Sequence, residues 1–374
     1  MKKLISAIAV AIQAFVLAGA AHAQSDGPIK LGQSAPMTGP AQELGQEFRA
    51  GALAYFNGIN ARGGVGGRTI DLVSLDDGYE PDRTIANTCQ FIDKDGVVGL
   101  FGYIGTPTSN AALPLFTAAG VPFLGAFTGA ESLRTPANNM IFNVRASYYD
   151  ETERIVDHLA KLSITNIAVF YQDDAYGQTG LAGVERAMQR RNLKIVATGT
   201  VARNTTNVSE AVRRIGTVDP QAIVLISTYS SCAAFIKAMN AAGHNPTFAN
   251  VSFVGSKALS RELGSSGRGV VITQVVPFPW DMKQALVREY QAAMKQYNLG
   301  DPSFTSLEGF LAAKVATEAI KRAPKPLTRE GFARALGSIE DLDAVGLRVN
   351  LARSAQQQRY VDLTVIARDG SFLH

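Results

Sequence analysis

Residues Val97–Leu133 repeat one pattern twice, and this repetition constrains the fold more than any other stretch of the chain. Two short apolar runs, Val97–Phe101 and Val121–Leu124, are typical of strands that are covered on both faces. Each run is followed at once by glycine and hydroxyl residues, and a helix is predicted between them over Thr108–Ala119. Ligands of open α/β sheets bind beyond the carboxyl ends of the strands, so the two loops predict a ligand site.

The side chains of these two loops are suited to holding an anionic group. Thr106, Thr108, Ser109 and Thr128 supply hydroxyl donors, and Thr108 or Ser109 is the predicted N-cap of the helix. Glycines allow a ligand to approach the backbone, and free N–H groups at a helix start favour anions. The same residue types are also usual in turns and caps, and the residues alone are compatible with either interpretation.

The first 23 residues have the pattern of a secretory signal peptide. Two lysines precede an apolar stretch from Leu4 to Ala20, and Ala21-His22-Ala23 is a small-x-small cleavage site. The apolar stretch is short and contains Gln13, which argues against a membrane anchor. We therefore expect an exported protein that is cleaved after Ala23.

Length, charge and cysteine content narrow the function further. The 374 residues, less the leader, suggest two domains. The formal net charge is +4, with lysines and arginines scattered along the chain, so we expect binding to neither nucleic acid nor a membrane surface. Cys89 and Cys232 are far apart in sequence, and we predict two separate, buried, unpaired thiols in different lobes.

Strands alternate with helices along most of the chain, and this alternation predicts a mostly parallel sheet in each of two lobes. The second series begins after a short strand predicted at Phe142–Arg145. The pattern changes near Pro277, where two long helices begin, and strand-like pieces follow near Leu347–Val349 and Tyr360–Ala367. We therefore expect the chain to cross between the lobes more than once.

The patterns required for catalysis or for a cofactor are missing from the sequence. There is no nucleophile elbow and no zinc-binding spacing, and the internal histidines His158 and His244 stand alone. The glycine-rich run Arg62–Arg68 precedes a strand, so it fails as a phosphate-binding loop. The pairs Asp76-Asp77 and Asp173-Asp174 each fall at a strand end, where aspartate usually caps or turns the chain. We predict no enzyme, no metal and no cofactor.

Several motifs resemble the periplasmic leucine/isoleucine/valine-binding proteins, the type I solute-binding proteins of ABC importers. The motifs are IKLGQSAPMTGPAQELGQEFRAGALAYFNGINARGGVGGR, DDGYEPDR, FGYIGTPTS and YQDDAYGQTGL, and the likeness covers nearly the whole mature chain. The resemblance implies an α/β fold of two Rossmann-like lobes with parallel-sheet cores, joined by a three-crossover hinge. We place residues 24–145 and about 277–343 in the N-terminal lobe, and residues 146–276 and about 344–374 in the C-terminal lobe.

The resemblance also suggests which first-lobe residues hold an amino-acid carboxylate. The loop hydroxyl of the family matches Thr106, and the backbone and hydroxyl groups that complete the grip match Ala126 and Thr128. The position that often carries a pocket aromatic residue is Leu44 here.

In the second lobe the resemblance implies an aromatic contact and an acid. The tyrosine of the D-x-x-Y-G motif matches Tyr176, and the strand-end aromatic residue of the family falls at Thr228 or Tyr229. The acid that holds the α-ammonium group falls near Ser252, and a hydroxyl there cannot neutralise a buried cation.

The departure at Ser252 shapes the expected ligand. Asp174, Glu308 or Glu43 could replace the missing acid, although each has a plainer interpretation as a surface or cap residue. Five aromatic residues are predicted near the cleft and could line an aromatic cavity or belong to the core: Tyr103, Tyr148, Tyr149, Phe127 and Phe304. We favour a small carboxylate or amide without an α-ammonium group, such as an aromatic acid, over a branched-chain amino acid.

The resemblance thus predicts a periplasmic, monomeric binding protein that delivers a small organic solute to the permease of an ABC importer. A sensory protein of the same fold, reporting to a membrane receptor or regulator, would have nearly the same sequence. We keep that function as the alternative.

Overall fold

The computed structural model describes residues 27–344, 346–351 and 359–374. The predicted signal peptide and its cleavage site lie outside these ranges. Within them, no helix combines the length and the apolar character needed to cross a membrane.

The first sheet has five strands in the order β2-β1-β3-β4-β5, and every neighbouring pair is parallel. Apolar side chains fill its central strands, as expected of a sheet with helices on both faces. The strands are β1 Ile29–Ala35, β2 Ile70–Asp76, β3 Gly99–Phe101, β4 Phe123–Leu124 and β5 Ile141–Phe142.

The second sheet has seven strands in the order β14-β13-β10-β9-β8-β6-β7. Five adjacent strands of this sheet, β7, β6, β8, β9 and β10, are parallel. At one edge, β13 pairs antiparallel with β10, and β14 pairs antiparallel with β13. The strands are β6 Ile167–Gln172, β7 Thr198–Val201, β8 Ala222–Ile226, β9 Thr247–Asn250, β10 Val271–Gln274, β13 Asp362–Ile366 and β14 Phe372–Leu373; β11 Leu342–Asp343 and β12 Arg348–Val349 form a separate antiparallel pair.

Eleven α-helices surround the sheets in the part of the chain that the structure describes. They are α1 Gln42–Ala61, α2 Pro81–Gln90, α3 Thr106–Ala118, α4 Tyr148–Lys161, α5 Ala175–Gln189, α6 Ser209–Gly216, α7 Tyr229–Ala241, α8 Ser256–Leu263, α9 Ala285–Gln296, α10 Phe304–Arg322 and α11 Arg329–Gly337.

The chain returns to the first sheet after β10, because α9 and α10 pack against α1. Two glycines bring α1 and α10 close together: a Cβ atom on Gly51 would lie 1.7 Å from the Ser306 carbonyl oxygen, and one on Gly309 would lie 2.0 Å from that of Phe48. The chain then goes back to the second sheet at β13. Three crossovers therefore join the lobe of the first sheet (the first lobe) to the lobe of the second sheet (the second lobe), while the residue boundaries given above stay a prediction.

Most differences from the sequence-based prediction concern the ends of elements. The helix predicted over Thr108–Ala119 begins earlier, at Thr106, and its N-cap is Gly105 rather than Thr108 or Ser109. The Thr108 hydroxyl instead donates to the carbonyl oxygens of Ile104 and Gly105, at 2.5 and 3.0 Å. The short helices α8 and α11 were not predicted.

Candidate functional site

Thr106 and Thr128 face each other beyond the carboxyl ends of β3 and β4. Their hydroxyl oxygens lie 2.7 Å apart, and both side chains are fully buried. The turn that presents Thr106 requires glycine at position 105, where φ is +98° and a Cβ atom would lie 2.3 Å from the ring of Tyr79. The two loops predicted from the sequence therefore do converge on one point.

A hydrogen bond connects this point to the second lobe. The Thr128 hydroxyl donates to the Tyr148 hydroxyl at 3.1 Å, and it also accepts from the Ala130 N–H at 3.3 Å. Tyr148 is the first residue of α4, which Ser147 and Asp150 begin with a capping box. Thr106, Thr128 and Tyr148 thus form a chain of hydroxyl groups that extends from one lobe to the other.

Aromatic rings from both lobes surround the hydroxyl chain. The ring of Tyr176 lies 5.2 Å from that of Tyr148 and 4.7 Å from that of Phe253, measured between centroids. From the first lobe, Phe127 and Tyr79 approach Phe253 at 5.4 and 6.1 Å. All five rings are almost completely buried. This set of rings, the aromatic wall, can hold a planar or apolar part of a ligand.

An ion cluster centred on Arg145 lies beside the aromatic wall, at the crossover into the second lobe. The Arg145 guanidinium is paired with Glu151 at 3.1 Å and with Glu308 at 3.5 Å, and it lies 4.8 Å from the centroid of the Phe127 ring. It also donates to the hydroxyl of Ser252. Burial raises the pKa of Glu308 to about 7, although Arg145 opposes this rise.

Ser252 belongs to this cluster. Its N–H donates to Glu151 at 2.7 Å, and the Thr273 hydroxyl donates to the same carboxylate oxygen at 2.6 Å. At position 252, where the resemblance predicts an acid, this chain therefore has a serine hydroxyl that accepts a hydrogen bond from the Arg145 guanidinium.

The three acids that could replace it are each paired with an arginine. Asp174 pairs with Arg203 at 3.4 Å, and it also caps α5. Glu43 pairs with Arg261, and Glu308 pairs with Arg145. Two of these arginines also pair with a second acid, Arg145 with Glu151 and Arg203 with Glu80. Each of the three candidate carboxylates is nevertheless already engaged by a guanidinium group.

The lobes touch along the edge of the cleft, so the structure is closed. Arg203 and Asn204 of the second lobe bind Glu80 of the first lobe, each at 2.7 Å, and Asn204 also donates to the Gly78 carbonyl oxygen at 3.0 Å. On another part of the rim, the Ser230 hydroxyl donates to the Pro40 carbonyl oxygen at 2.9 Å.

The structure brings Thr106, Thr128 and Tyr176 together, but it distributes the other predicted residues elsewhere. Tyr103 and the side chain of Ala126 lie in a smaller core cluster under the first sheet, where the Tyr103 hydroxyl is 3.0 Å from that of Thr88.

Leu44 and Tyr229 lie at the contact between the lobes, and Thr228 directly precedes Tyr229 in the chain. The Tyr229 hydroxyl accepts from the Glu43 N–H at 3.4 Å, and Leu44 packs so close to Gly255 that a Cβ atom there would lie 2.5 Å from Leu44. Thr228 is the N-cap residue of α7, and its side chain makes no capping hydrogen bond.

Of the five aromatic residues predicted near the cleft, Tyr148 and Phe127 belong to the aromatic wall. Phe304 packs with Phe278, Trp280 and Phe372 at the second crossover, and Tyr149 lies under Arg186 of α5. Two members of the wall, Tyr79 and Phe253, were missed. Tyr79 belongs to the DDGYEPDR motif, which could have pointed to it, whereas Phe253 carried no signal beyond its place next to Ser252.

Comparison with known proteins decides the family. A family model described as periplasmic binding protein matches residues 28–368. The chain belongs to the periplasmic binding protein family. Because this is a family of solute-binding proteins and not of enzymes, the expected absence of catalysis agrees with the family's role.

Relatives support the same assignment over the whole chain. The structure is similar to that of a possible leucine/isoleucine/valine-binding protein from Rhodopirellula baltica SH 1, with 35% identity, a TM-score of 0.88 and coverage of 93% of this chain and 96% of that one. It is also similar to a substrate-binding periplasmic protein from Ralstonia solanacearum, with 33% identity, a TM-score of 0.88 and coverage of 92% and 99%. The Leu/Ile/Val-binding protein homolog 7 of Brucella suis is 25% identical over 100% of this chain and 96% of its own length.

These findings confirm the predicted family and the two-lobed α/β fold of type I periplasmic binding proteins. Members of the family bind small organic solutes in the periplasm and work with the permeases of ABC transporters. This protein is a periplasmic solute-binding protein.

Proposed function

We propose that this protein serves an ABC importer and closes its lobes around a small carboxylate or amide that carries no α-ammonium group. The observation that carries the proposal is that each of the three candidate acids is already paired with an arginine. Asp174, Glu43 and Glu308 each have an arginine partner, and Ser252 faces Arg145. An ammonium group that is buried without a carboxylate partner would lose roughly several kcal/mol of solvation free energy, and no ion pair would offset that loss.

The carboxylate of the ligand would bind at Thr106 and Thr128. Their hydroxyl groups are bonded to each other and can turn toward an anion, and Tyr148 adds a third hydroxyl from the second lobe. A hydrogen bond to a charged group contributes about 1.5–3 kcal/mol. Three such bonds approach the value of about −8 kcal/mol that micromolar binding requires.

Contact with both lobes gives the ligand its effect on closure. A ligand shifts the lobes toward the closed state only through interactions that the open state lacks. Thr106 and Thr128 are on the first lobe, while Tyr148 and Tyr176 are on the second. A solute that touches both pairs would bind the closed form more tightly.

A thermal-shift screen tests the proposed ligand class. The purified protein is unfolded, stripped of carried-over solute and refolded, and then screened against amino acids, aromatic acids, dicarboxylates and amides. We expect the largest rise in melting temperature with carboxylates that lack an ammonium group. A rise confined to α-amino acids would contradict the proposal.

Export with cleavage after Ala23 is part of the same proposal. Mass spectrometry of the protein from a periplasmic extract should find Gln24 as the first residue. A retained leader, with all the protein in the membrane fraction, would contradict it.

A further inference from the structure

Three neighbouring strands of the second sheet end in polar side chains at the cleft. Gln172 is the last residue of β6, Ser227 follows β8 directly, and Asn250 is the last residue of β9. All three side chains are fully buried, and none of them is charged. They lie at the carboxyl edge of a parallel sheet, where ligands of such sheets bind.

The register places these three side chains on one face of the sheet. Phe170 pairs with Leu225, and Leu225 pairs with Asn250, so their side chains share a face. Gln172 and Ser227 are each two residues further along their own strands, which returns them to that face. The three residues are called the polar floor below.

Each residue of the polar floor has a polar atom without a hydrogen-bond partner among the described residues. The atoms are the Gln172 Oε1, the Ser227 Oγ, and both the Oδ1 and Nδ2 of Asn250. A buried polar group without a partner destabilises the folded state, and native proteins leave few of them. Three on neighbouring strand ends indicate a place that another molecule completes.

The polar floor lies next to the aromatic wall. The Nε2 of Gln172 donates to the Tyr79 hydroxyl of the first lobe at 3.2 Å, which places Gln172 at the contact between the lobes. The Tyr176 hydroxyl is also fully buried and has no partner among the described residues. Burial is the main cause that raises the pKa of Tyr176, and the nearby Tyr148 and Cys232 raise it further. Cys232 lies on α7, the helix that follows Ser227.

We propose that Gln172, Ser227, Asn250 and the Tyr176 hydroxyl form a neutral half-site for a hydroxyl or carboxamide group of the ligand. The group would lie at the end of the ligand opposite its carboxylate. Hydroxyl and amide side chains both donate and accept, so they match a group that does the same. None of the four residues is charged, and the carboxylate that accepts from the Gln172 Nε2 at 2.6 Å, Asp174, is already paired with Arg203. The half-site therefore favours a neutral group over an ammonium group. This inference rests on the proposed carboxylate site at Thr106 and Thr128.

Matched ligand pairs test the half-site by calorimetry on stripped, refolded protein. One pair is benzoate and 4-hydroxybenzoate, with 4-carbamoylbenzoate as a third member, and an aliphatic pair is pentanoate and 5-hydroxypentanoate. In at least one pair we expect the hydroxyl or carbamoyl compound to bind at least 10-fold more tightly than its parent acid. The cation 4-(aminomethyl)benzoate should bind more weakly than benzoate.

Two variants tie the preference to the polar floor. Asn250→Leu and Ser227→Ala should reduce the preference for the hydroxylated ligand to less than 3-fold, while the parent acid keeps its affinity. Asn250→Leu removes an unpartnered amide at similar volume, so the melting temperature without ligand should stay the same or rise. A structural role would instead lower it. Ser227→Ala is the smaller change and decides the question if Asn250→Leu fails to fold.

Asn166→Leu is the control, because Asn166 lies just before β6 at the opposite edge of the same sheet and its side-chain Oδ1 also has no partner among the described residues. It should leave the preference unchanged. Equal affinity within every pair would mean that the floor holds water only; the half-site would be wrong and the carboxylate proposal would stand. If no carboxylate binds at all while an amino acid does, both proposals fall.

Discussion

The hydroxyl of Thr128 is shared among three groups: it lies 2.7 Å from the Thr106 hydroxyl, donates to Tyr148 and accepts from the Ala130 N–H. In the closed structure these hydroxyl groups satisfy one another. A carboxylate must therefore replace a neutral hydrogen bond of about 1 kcal/mol with stronger, charge-assisted ones. We propose that the site accepts an anion through these hydroxyl groups.

Replacing one of these hydroxyls tests the carboxylate site. Thr106→Val keeps the shape of the side chain and removes the donor, so we expect affinity for the best carboxylate to fall about 10- to 100-fold. Loss of the bond to Thr128 should lower the melting temperature without ligand by about 2–4 °C at most. Calorimetry and a thermal melt measure the two effects.

Thr117→Val is the matched control, because Thr117 lies on the same helix and is exposed. It should leave affinity unchanged. Equal affinity in the wild type and in Thr106→Val would remove Thr106 from the site.

At the scale of elements, the crossover from β5 to α4 is fixed by charged side chains from both lobes. Arg134 and Arg359 donate to the Arg145 carbonyl oxygen at 3.0 and 3.1 Å. The Arg145 side chain pairs with Glu151 of α4 and Glu308 of α10. A small cavity of about 60 Å³ beside Glu308 is lined by residues of all three crossovers. A buried ion cluster at this crossover therefore includes residues of both lobes.

This cluster should make stability depend on pH. Burial raises the pKa of Glu308 from 4.5 to about 7, so the folded state holds the proton more tightly than the unfolded state. The free energy of unfolding should then fall as pH rises from about 4.5 to 7, by at most about 1.4 kcal/mol per pH unit from this group. Arg145 and Arg134 oppose the rise in pKa and Glu151 adds to it.

Glu308→Gln should flatten this pH dependence, measured as the urea midpoint at pH 5, 6 and 7. A residual slope of the same sign is expected in the variant, because burial also raises the pKa of Asp77 to about 6. An identical slope in the wild type and the variant would show that Glu308 does not titrate in this range.

The two cysteines should respond differently to a thiol reagent. Both are free; Cys89 on α2 is only half-buried, contrary to the prediction of two buried thiols, and Cys232 on α7 is fully buried with its pKa raised by burial. We expect one thiol to react quickly in native protein and two in denatured, non-reduced protein. No free thiol after denaturation would contradict their separation between the lobes.

Several parts of the site could be predicted from the sequence, because they depend on short patterns. Thr106 and Thr128 follow buried strands, and Tyr176 belongs to a recognisable motif. Tyr103 follows Gly102, whose φ of +59° redirects the chain, so the sequence did not show that its ring faces the core. Ser227 and Asn250 gave no signal, because their common face depends on the pairing of three distant strands. Phe253 packs on Tyr176 within its own lobe, but it meets Phe127 and Tyr79 only through the contact between the lobes.

At the scale of the whole molecule, the proposed function depends on the difference between open and closed lobes. The rim contacts of Glu80 with Arg203 and Asn204 stabilise the closed form from outside the ligand site. They are partly exposed, so each should contribute about 0.2–1.5 kcal/mol. Ligand affinity should therefore depend on residues that do not touch the ligand.

Glu80→Ala tests this dependence. We expect affinity to fall about 3- to 10-fold through faster dissociation, and small-angle scattering should show a larger radius of gyration without ligand. Glu330→Ala is the control, since Glu330 is exposed in the first turn of α11 and pairs only weakly with Arg334 at 3.6 Å. If both variants keep wild-type affinity, the rim contacts do not govern closure.

The most direct test of the central claim compares leucine with 4-methylpentanoate, which differs from leucine only by the α-ammonium group. Both are titrated calorimetrically into protein that has been unfolded, stripped and refolded. The pairing of Asp174, Glu43 and Glu308 with arginines predicts that 4-methylpentanoate binds at least as tightly as leucine. Tight binding of leucine, with no measurable binding of 4-methylpentanoate, would contradict the claim and require an acid that is free to meet the ammonium group.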